Sequence, residues 1–357
     1  APRQGGVAVN ASEITAMRRR ESRRTGRLIA IMYLAVLIML AVRVLLGGYT
    51  VTIPDFFRIL GGERIPGATF IVMQDKLPRA LLGAGVGICF GFAGALFRRV
   101  LRNPLASPDI LGISQGAAAG AVMGMAFLGM RGASMIVTAL LGAFAAAALI
   151  ALVSTSLGGR GAGGAVGIVG ERFLLAGIGI AALGGAVVSF VMARLSLQSA
   201  QDAATWTTGS LNLATWDRIL VVAIVLAVGI PAALALHRAM EPAELGSELA
   251  SALGARPALT SAAALGLGVM LAAAATATSG PLAFVALLST PIAAALHRGR
   301  VSLLVSGAVG ALIVVAADMI GAEAFGDARL PAGVITGAVG APVMLWLLVQ
   351  QRRGARS

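Results

Sequence analysis

The residues that could do chemistry are few and gather in three stretches. From Arg102 to Gly116 the chain reads R-N-P-L-A-S-P-D-I-L-G-I-S-Q-G, where prolines and hydrogen-bonding side chains interrupt an apolar background. Irregular, Pro-broken backbone at membrane depth is tolerated only where it is buried in protein or lines a watery cavity. The stretch is therefore read as the centre of function, with Asn103, Pro104, Ser114 and Gln115 as candidates for a pathway. A second break, Ser279-Gly280-Pro281-Leu282-Ala283, repeats the Pro-Leu-Ala of 104–106 and adds Pro281 to that pathway. In the third stretch, His237 to Ala255, residues Leu245, Leu249, Ala252 and Leu253 fall at helical spacing, punctuated by Gly246 and Gly254. It is too short and too charged to cross a bilayer and longer than a plain connection needs. It is expected to lie against the inner face and to dock a partner.

No catalytic set accompanies these stretches. The sequence holds no G-x-x-x-x-G-K-[ST] and no H-E-x-x-H. His237, His297 and the single Cys89 make no metal site, and one cysteine makes no intrachain disulfide. Ionisable residues that could run a proton relay inside a membrane are limited to Arg43, Arg79, Asp109 and Asp318. Asp318 is either such a relay group or a hydrogen-bond partner for a neighbouring helix. What remains is the chemistry of a conduit whose energy arrives from elsewhere.

The elements that must hold these stretches are membrane helices. Of 357 residues 58% are hydrophobic and 12% charged, far from the roughly 25% charged content of soluble domains. The mean hydropathy is +0.91. Apolar segments fall near 28–46, 77–97, 110–128, 134–157, 173–193, 219–236, 258–278, 282–296, 301–320 and 332–350, each about long enough to span a hydrocarbon core. The expected fold is an all-α polytopic membrane protein of about ten transmembrane helices, with both termini cytoplasmic. A basic tail covers 1–27, the ten-span domain 28–350 and a second basic tail 351–357. The span after the first tail is expected to be retained rather than cleaved as a signal peptide, since no A-x-A-like site follows it.

Charge supports the count. Alternating the ten segments places 19 of the 28 Lys and Arg on the side of the N-terminus, as the positive-inside rule requires. The net charge of +13 is not that of a nucleic-acid binder, because the cluster Arg18, Arg19, Arg20, Arg23, Arg24 and Arg27 precedes the first span and no basic face carries interleaved aromatics. In the second span Gly83, Gly87 and Gly91 recur every four residues, a ridge that lets another helix approach closely. That marks a central helix, assigned here to the pathway. The two Pro-Leu-Ala breaks fall on opposite sides of the membrane, which points to an inverted repeat with a pathway between its halves. The loop 195–218 is polar enough to carry a short outer helix.

Taken together, the chain resembles the FecCD-type permeases, the membrane subunits of binding-protein-dependent ATP-binding-cassette importers for ferric siderophores, haem and cobalamin. The resemblance rests on Leu77-Pro78-Arg79, the stretch 102–117, W-T-T-G-S-L at 206–211, E-L-G-S-E-L-A-S-A-L-G at 244–254, G-P-L-A-F-V-A-L at 280–287, Ala317-Asp318 and L-P-A-G-V-I-T-G-A-V-G-A-P at 330–342. It implies a second permease subunit, two ATPase subunits that use ATP and magnesium, and an extracytoplasmic binding protein. The chain itself would bind no cofactor and catalyse nothing, and iron would pass only within the transported chelate. The resemblance makes Glu244, Leu245, Gly246, Glu248, Leu249 and Gly254 the ATPase-coupling residues, and Lys76 and Arg79, with Arg329 as a substitute, the contacts for the binding protein. The form of 280–287 points to ferric siderophores over haem or cobalamin, in a bacterial cytoplasmic membrane. A stand-alone secondary transporter is the rival from another class; it would need coupling carboxylates, and Asp318 is its main candidate. Two departures stand out: Thr290-Pro291-Ile292-Ala293-Ala294 shifts the proline of the family pattern, and Gly321 and Ala322 stand where family members often carry an Arg.

Overall fold

The computed structural model describes residues 11–156, 171–325 and 329–354, and all regular structure among them is helical. The first ten residues, Arg160 and Arg356 of the charge count lie outside the described residues. In chain order the helices are α1 (Ala11–Leu45), α2 (Ile53–Leu60), α3 (Ala68–Phe70), α4 (Leu77–Leu101), α5 (Ile113–Leu128), α6 (Met135–Ser156), α7 (Glu171–Met192), α8 (Leu197–Thr208), α9 (Trp216–Ala239), α10 (Ser247–Ala252), α11 (Pro257–Ser279), α12 (Val285–Leu296), α13 (Leu303–Glu323) and α14 (Ala332–Gly354). Seven segments are long and apolar enough to cross a membrane, and α5, α12 and Ala332–Leu347 are shorter apolar helices. Every apolar segment expected from the sequence is thus a helix, with the three short ones falling below the length of a full span. The short helix expected in 195–218 is α8, opened by Ser196, whose hydroxyl accepts the Ser199 N–H.

α4 is the axis. Its apolar window is 89% buried, whereas those of α1, α7 and α9 are 22%, 17% and 17% buried and form the rim. α13, α11, α12, α9 and α1 all pack on it. The glycine ridge explains the intimacy with α13. A Cβ at Gly87 would overlap the carbonyl of Gly310, and one at Gly91 the carbonyl of Ser306. Glycine costs a helix roughly 0.5–1 kcal/mol relative to alanine, and here close backbone approach is what offsets that cost. The ridge is therefore covered by α13 in this chain. α4 also packs Phe90, Phe92, Leu96 and Phe97 into the main core.

The two Pro breaks re-enter the bundle. α4 ends at Arg102, left-handed at φ 48°, and the following Asn103-Pro104 cannot continue a helix. Gly112, at φ 80°, then packs on the backbone of Ala181. Ala181 stands ten residues into α7, about 15 Å along its axis. From that depth α5 runs outward for about 24 Å. At the second break the Ala286 carbonyl meets Gly94, seven residues or about 10 Å from the end of α4. α12 runs from there in the direction opposite to α5, toward the end of the bundle that holds Arg98, Arg99, Arg102 and His297. That end is the basic end of the bundle, and the opposite one the far end. α1, at 35 residues about 52 Å long, reaches beyond the bundle at the basic end.

Candidate functional site

The first break is held by its own polar groups. Asn103 accepts the Leu105 N–H at 2.8 Å through its side chain. Asp109 accepts the Ser114 hydroxyl at 2.6 Å, and Ser114 lies 3.4 Å from the Thr276 hydroxyl of α11. The second carboxylate oxygen of Asp109 is enclosed without a hydrogen-bond partner. Of the expected pathway residues, Pro104 and Gln115 are exposed, Asn103 and Pro281 half-buried, and Ser114 buried. Gln115 abuts Gly184 of α7. Beside it an apolar groove of about 560 Å³ runs between α5, α6 and α7, walled by residues such as Gly120, Met123, Phe127, Leu141 and Leu183.

At the basic end, three arginines of α4 reach three different segments. Arg98 donates to the carbonyl of Leu287 in α12. Arg99 contacts the His237 ring at the end of α9. Arg102 donates at 2.8 Å to the carbonyl of Ala243, in the single turn Glu241–Leu245 that precedes α10. In the sequence Arg98 and Arg99 stand out only as part of the positive-inside charge, and Arg102 also as the start of the first break. The stretch from Glu241 to Ala252 is a turn and a short helix separated by Gly246, at φ 101°, and Gly254, at φ 79°, closes it. Leu249 and Leu253 are 61% and 68% exposed, whereas Ala250 is buried. The side chains of Glu244, Leu245 and Glu248 lie outside the described residues.

At the far end, Asp318 of α13 is shared between two arginines. Arg43 Nε of α1 lies 2.9 Å from one carboxylate oxygen and Arg79 Nη2 of α4 2.8 Å from the other, all three side chains at most 5% exposed. Arg79 also reaches Asp75 at 3.3 Å. Lys76 is equally buried and donates to the carbonyls of Leu46, at 2.7 Å, and Tyr49. Lys76 and Arg79 are therefore engaged inside the chain, and of the three expected contacts only Arg329 is exposed. Both oxygens of Asp318 are occupied, so of its two readings the helix-joining one is what the geometry displays. Arg43 supplies the second guanidinium to Asp318 in a chain that has Gly321 and Ala322 one turn on. Nearby, Arg218 of α9 donates at 2.7 Å to the Thr278 carbonyl and at 3.2 Å to that of Gly132. It helps line a cavity of about 310 Å³ with Arg131, Asp202, Trp206, Asn212 and Ser279. Among the described residues no group of His, Cys, Asp or Glu could hold a metal ion.

The departure at Pro291 is accommodated within α12. Ser289 turns its hydroxyl back to the Val285 carbonyl, and Thr290 is buried. Proline has no N–H and leaves the carbonyl four residues before it, that of Leu287, without its helical partner.

This arrangement has known relatives. The sequence pattern of the FecCD transport family matches residues 33–350. The chain is 32% identical over 308 residues to the ferric enterobactin transport system permease protein FepG of Escherichia coli (strain K12), covering 86% of this chain and 91% of that one. It is 34% identical over 328 residues to the achromobactin transport system permease protein CbrC of Dickeya dadantii (strain 3937), covering 89% and 91%. Among solved structures, an inward-facing conformation of a metal-chelate type ABC transporter superposes with a TM-score of 0.77 over 91% of this chain and 99% of that one, at 23% identity. The fold is thus that of a membrane-embedded ABC permease, and the chain belongs to the FecCD transport family.

Proposed function

We propose that this chain is the permease subunit of an ATP-driven importer that carries ferric siderophores across a bacterial cytoplasmic membrane. The observation that carries the reading is the Arg102 to Ala243 hydrogen bond. It joins the central helix and the first re-entrant break to a short segment whose Leu249 and Leu253 point apolar surface away from the bundle. Exposed leucines beside Gly246 and Gly254 suit docking into a groove of a separate ATPase, and the bond gives that ATPase a grip on the pathway. The ferric siderophore assignment draws on the relatives named above. In this reading all ten apolar helices lie within the membrane, α5 and α12 as half-helices of opposite polarity that each complete a span with the break before it, the arrangement of an inverted repeat. The basic end, with both termini, faces the cytoplasm.

A second permease completes the pathway, and two ATPase subunits bind the ATP and magnesium. An extracytoplasmic binding protein docks at the far end, where Arg329 is an exposed cation available to its carboxylates. Substrate passes the wall made by Asn103, Pro104, Gln115 and Pro281 as ATP-driven closure switches access from one side to the other.

The test is co-expression with the neighbouring genes and identification of any ATPase that travels with the purified chain. The native chain should retain that ATPase on purification, and Glu244→Arg with Glu248→Arg should lose it. An intact pair in the variant would move the coupling site. Ferric siderophore uptake by the lone chain, driven by an ion gradient, would replace the importer with a secondary carrier.

A further inference from the structure

The basic end holds a cavity that coupling and transport leave unused. It measures about 270 Å³ and is lined by Arg20, Glu21, Arg24 and Thr25 of α1 and by His297, Arg298 and Arg300 of the turn between α12 and α13. The two walls are pinned together. The Thr25 hydroxyl lies 2.9 Å from His297 Nε2, and Arg300 pairs with Glu21 at 3.1 Å. Arg20 and Arg24, one helical turn apart, rise on the same face of α1. Arg298 is held at φ 55°, a left-handed conformation that an arginine rarely adopts.

Charge and position define the occupant. Glu21 is the one acid lining the cavity among the described residues, and it is already paired. Arg20, Arg24 and Arg298 have no carboxylate partner among the described residues, and the second ring nitrogen of His297, Nδ1, is enclosed without a hydrogen-bond partner. Like charges brought together in a concave site call for an anion with several acceptor oxygens, and guanidinium groups match phosphate oxygens in geometry. The depth is equally specific. Arg24 and Thr25 precede Leu28, the first residue of the apolar run of α1, and His297 directly follows Leu296, the last of α12. The cavity therefore stands where hydrocarbon gives way to headgroups. Basic pockets between transmembrane helices at the cytoplasmic face recognise anionic lipid headgroups.

We propose that the cavity formed by Arg20, Arg24, Arg298 and His297 binds the phosphate of an anionic phospholipid headgroup of the cytoplasmic leaflet, a reading that rests on the orientation proposed above. Bound there, the lipid joins the projecting end of α1 to the turn after α12. It makes the arginines before the first span a specific site as well as a topology signal.

The test is native mass spectrometry of the detergent-purified full chain titrated with dioleoyl phosphatidylglycerol, dioleoyl phosphatidylcholine or inorganic phosphate. Phosphatidylglycerol should be retained at a concentration at least about tenfold below that needed for phosphatidylcholine. The triple variant Arg20→Gln, Arg24→Gln, Arg298→Gln should abolish that preference. Arg19→Gln, Arg23→Gln, Arg27→Gln removes the same charge from exposed positions outside the cavity and should keep it. Equal loss in both triples would reduce the effect to diffuse charge, and no loss in either would place the lipid elsewhere; both overturn the proposal. Displacement of phosphatidylglycerol by inorganic phosphate at equal concentration would also overturn it, in favour of a soluble anion. Orientation is read separately, by labelling Ser22→Cys in a Cys89→Ser background with an impermeant maleimide in right-side-out vesicles. Labelling from outside would sink the orientation while the binding data in detergent stand by themselves.

Discussion

Arg98 donates to the carbonyl of Leu287, the one that Pro291 deprives of its helical N–H. A side chain of the central helix thus repairs a defect in a half-helix and fastens the two together. The pairing yields a sharp test, since either residue can be changed alone. Arg98→Met should destabilise the chain by about 1–3 kcal/mol, the cost of a buried polar group left unpaired. In a Pro291→Ala background the returned N–H can take over the carbonyl, and the same Arg98 change should cost visibly less. Thermal unfolding followed by alkylation of Cys89, a buried thiol and the one cysteine of the chain, measures both. Equal costs in the two backgrounds would dismiss the repair.

The contact of α4 with α13 should tolerate no side chain. Gly87→Val or Gly91→Val must push backbone apart, and neither variant should yield folded, monodisperse protein on size exclusion. Gly266 in α11 has nothing within 4 Å of a built Cβ, so Gly266→Ala should hold or raise stability by about 0.5–1 kcal/mol. A well-folded Gly87→Val protein would refute the backbone contact.

The Asp318 node should be costly to break from one side. Asp318→Asn leaves Arg43 and Arg79 buried without their shared carboxylate, a loss of roughly 3–5 kcal/mol. The same alkylation assay reports it. A shift of only a few tenths would mean that the arginines find other acceptors at the far end.

Leu249→Asp and Leu253→Asp separate coupling from folding. Both side chains are exposed, so stability should change by less than about 0.5 kcal/mol. ATPase co-purification and transport should fall together. Retention of both would remove these leucines from the docking surface.

Much of this was legible in the sequence because membrane helices announce themselves. Long apolar runs, the every-fourth-residue glycines and the two Pro breaks each have a local cause, and each is found where that cause predicts. Contacts that depend on which helices end up adjacent were not legible. Lys76 and Arg79 look like surface cations in a linear reading, yet the π-helical stretch Ile71–Lys76 leads into α4 and sets them beside Leu46, Tyr49 and Asp318. Arg43 reads as a stray charge near the end of a span until α1 is laid against α13, 275 residues away in sequence. The glycine ridge serves as a packing device against α13, and small residues suit both packing and a channel wall, so the neighbour was not legible.

The union of α4 with α13 has a mechanical consequence. Where two backbones touch through glycine, sliding or tilting one against the other meets hard repulsion within a fraction of an ångström, so the pair behaves as a single stiff beam. What hangs from that beam is held differently. The end of α9 and the turn before α10 are also joined to it by arginine side chains on ring or carbonyl acceptors, links worth about 1–3 kcal/mol each and able to swap acceptors without unfolding a helix. The beam is the part of the bundle that cannot yield, and the arginine links at its basic end are contacts that can part or exchange without disturbing it.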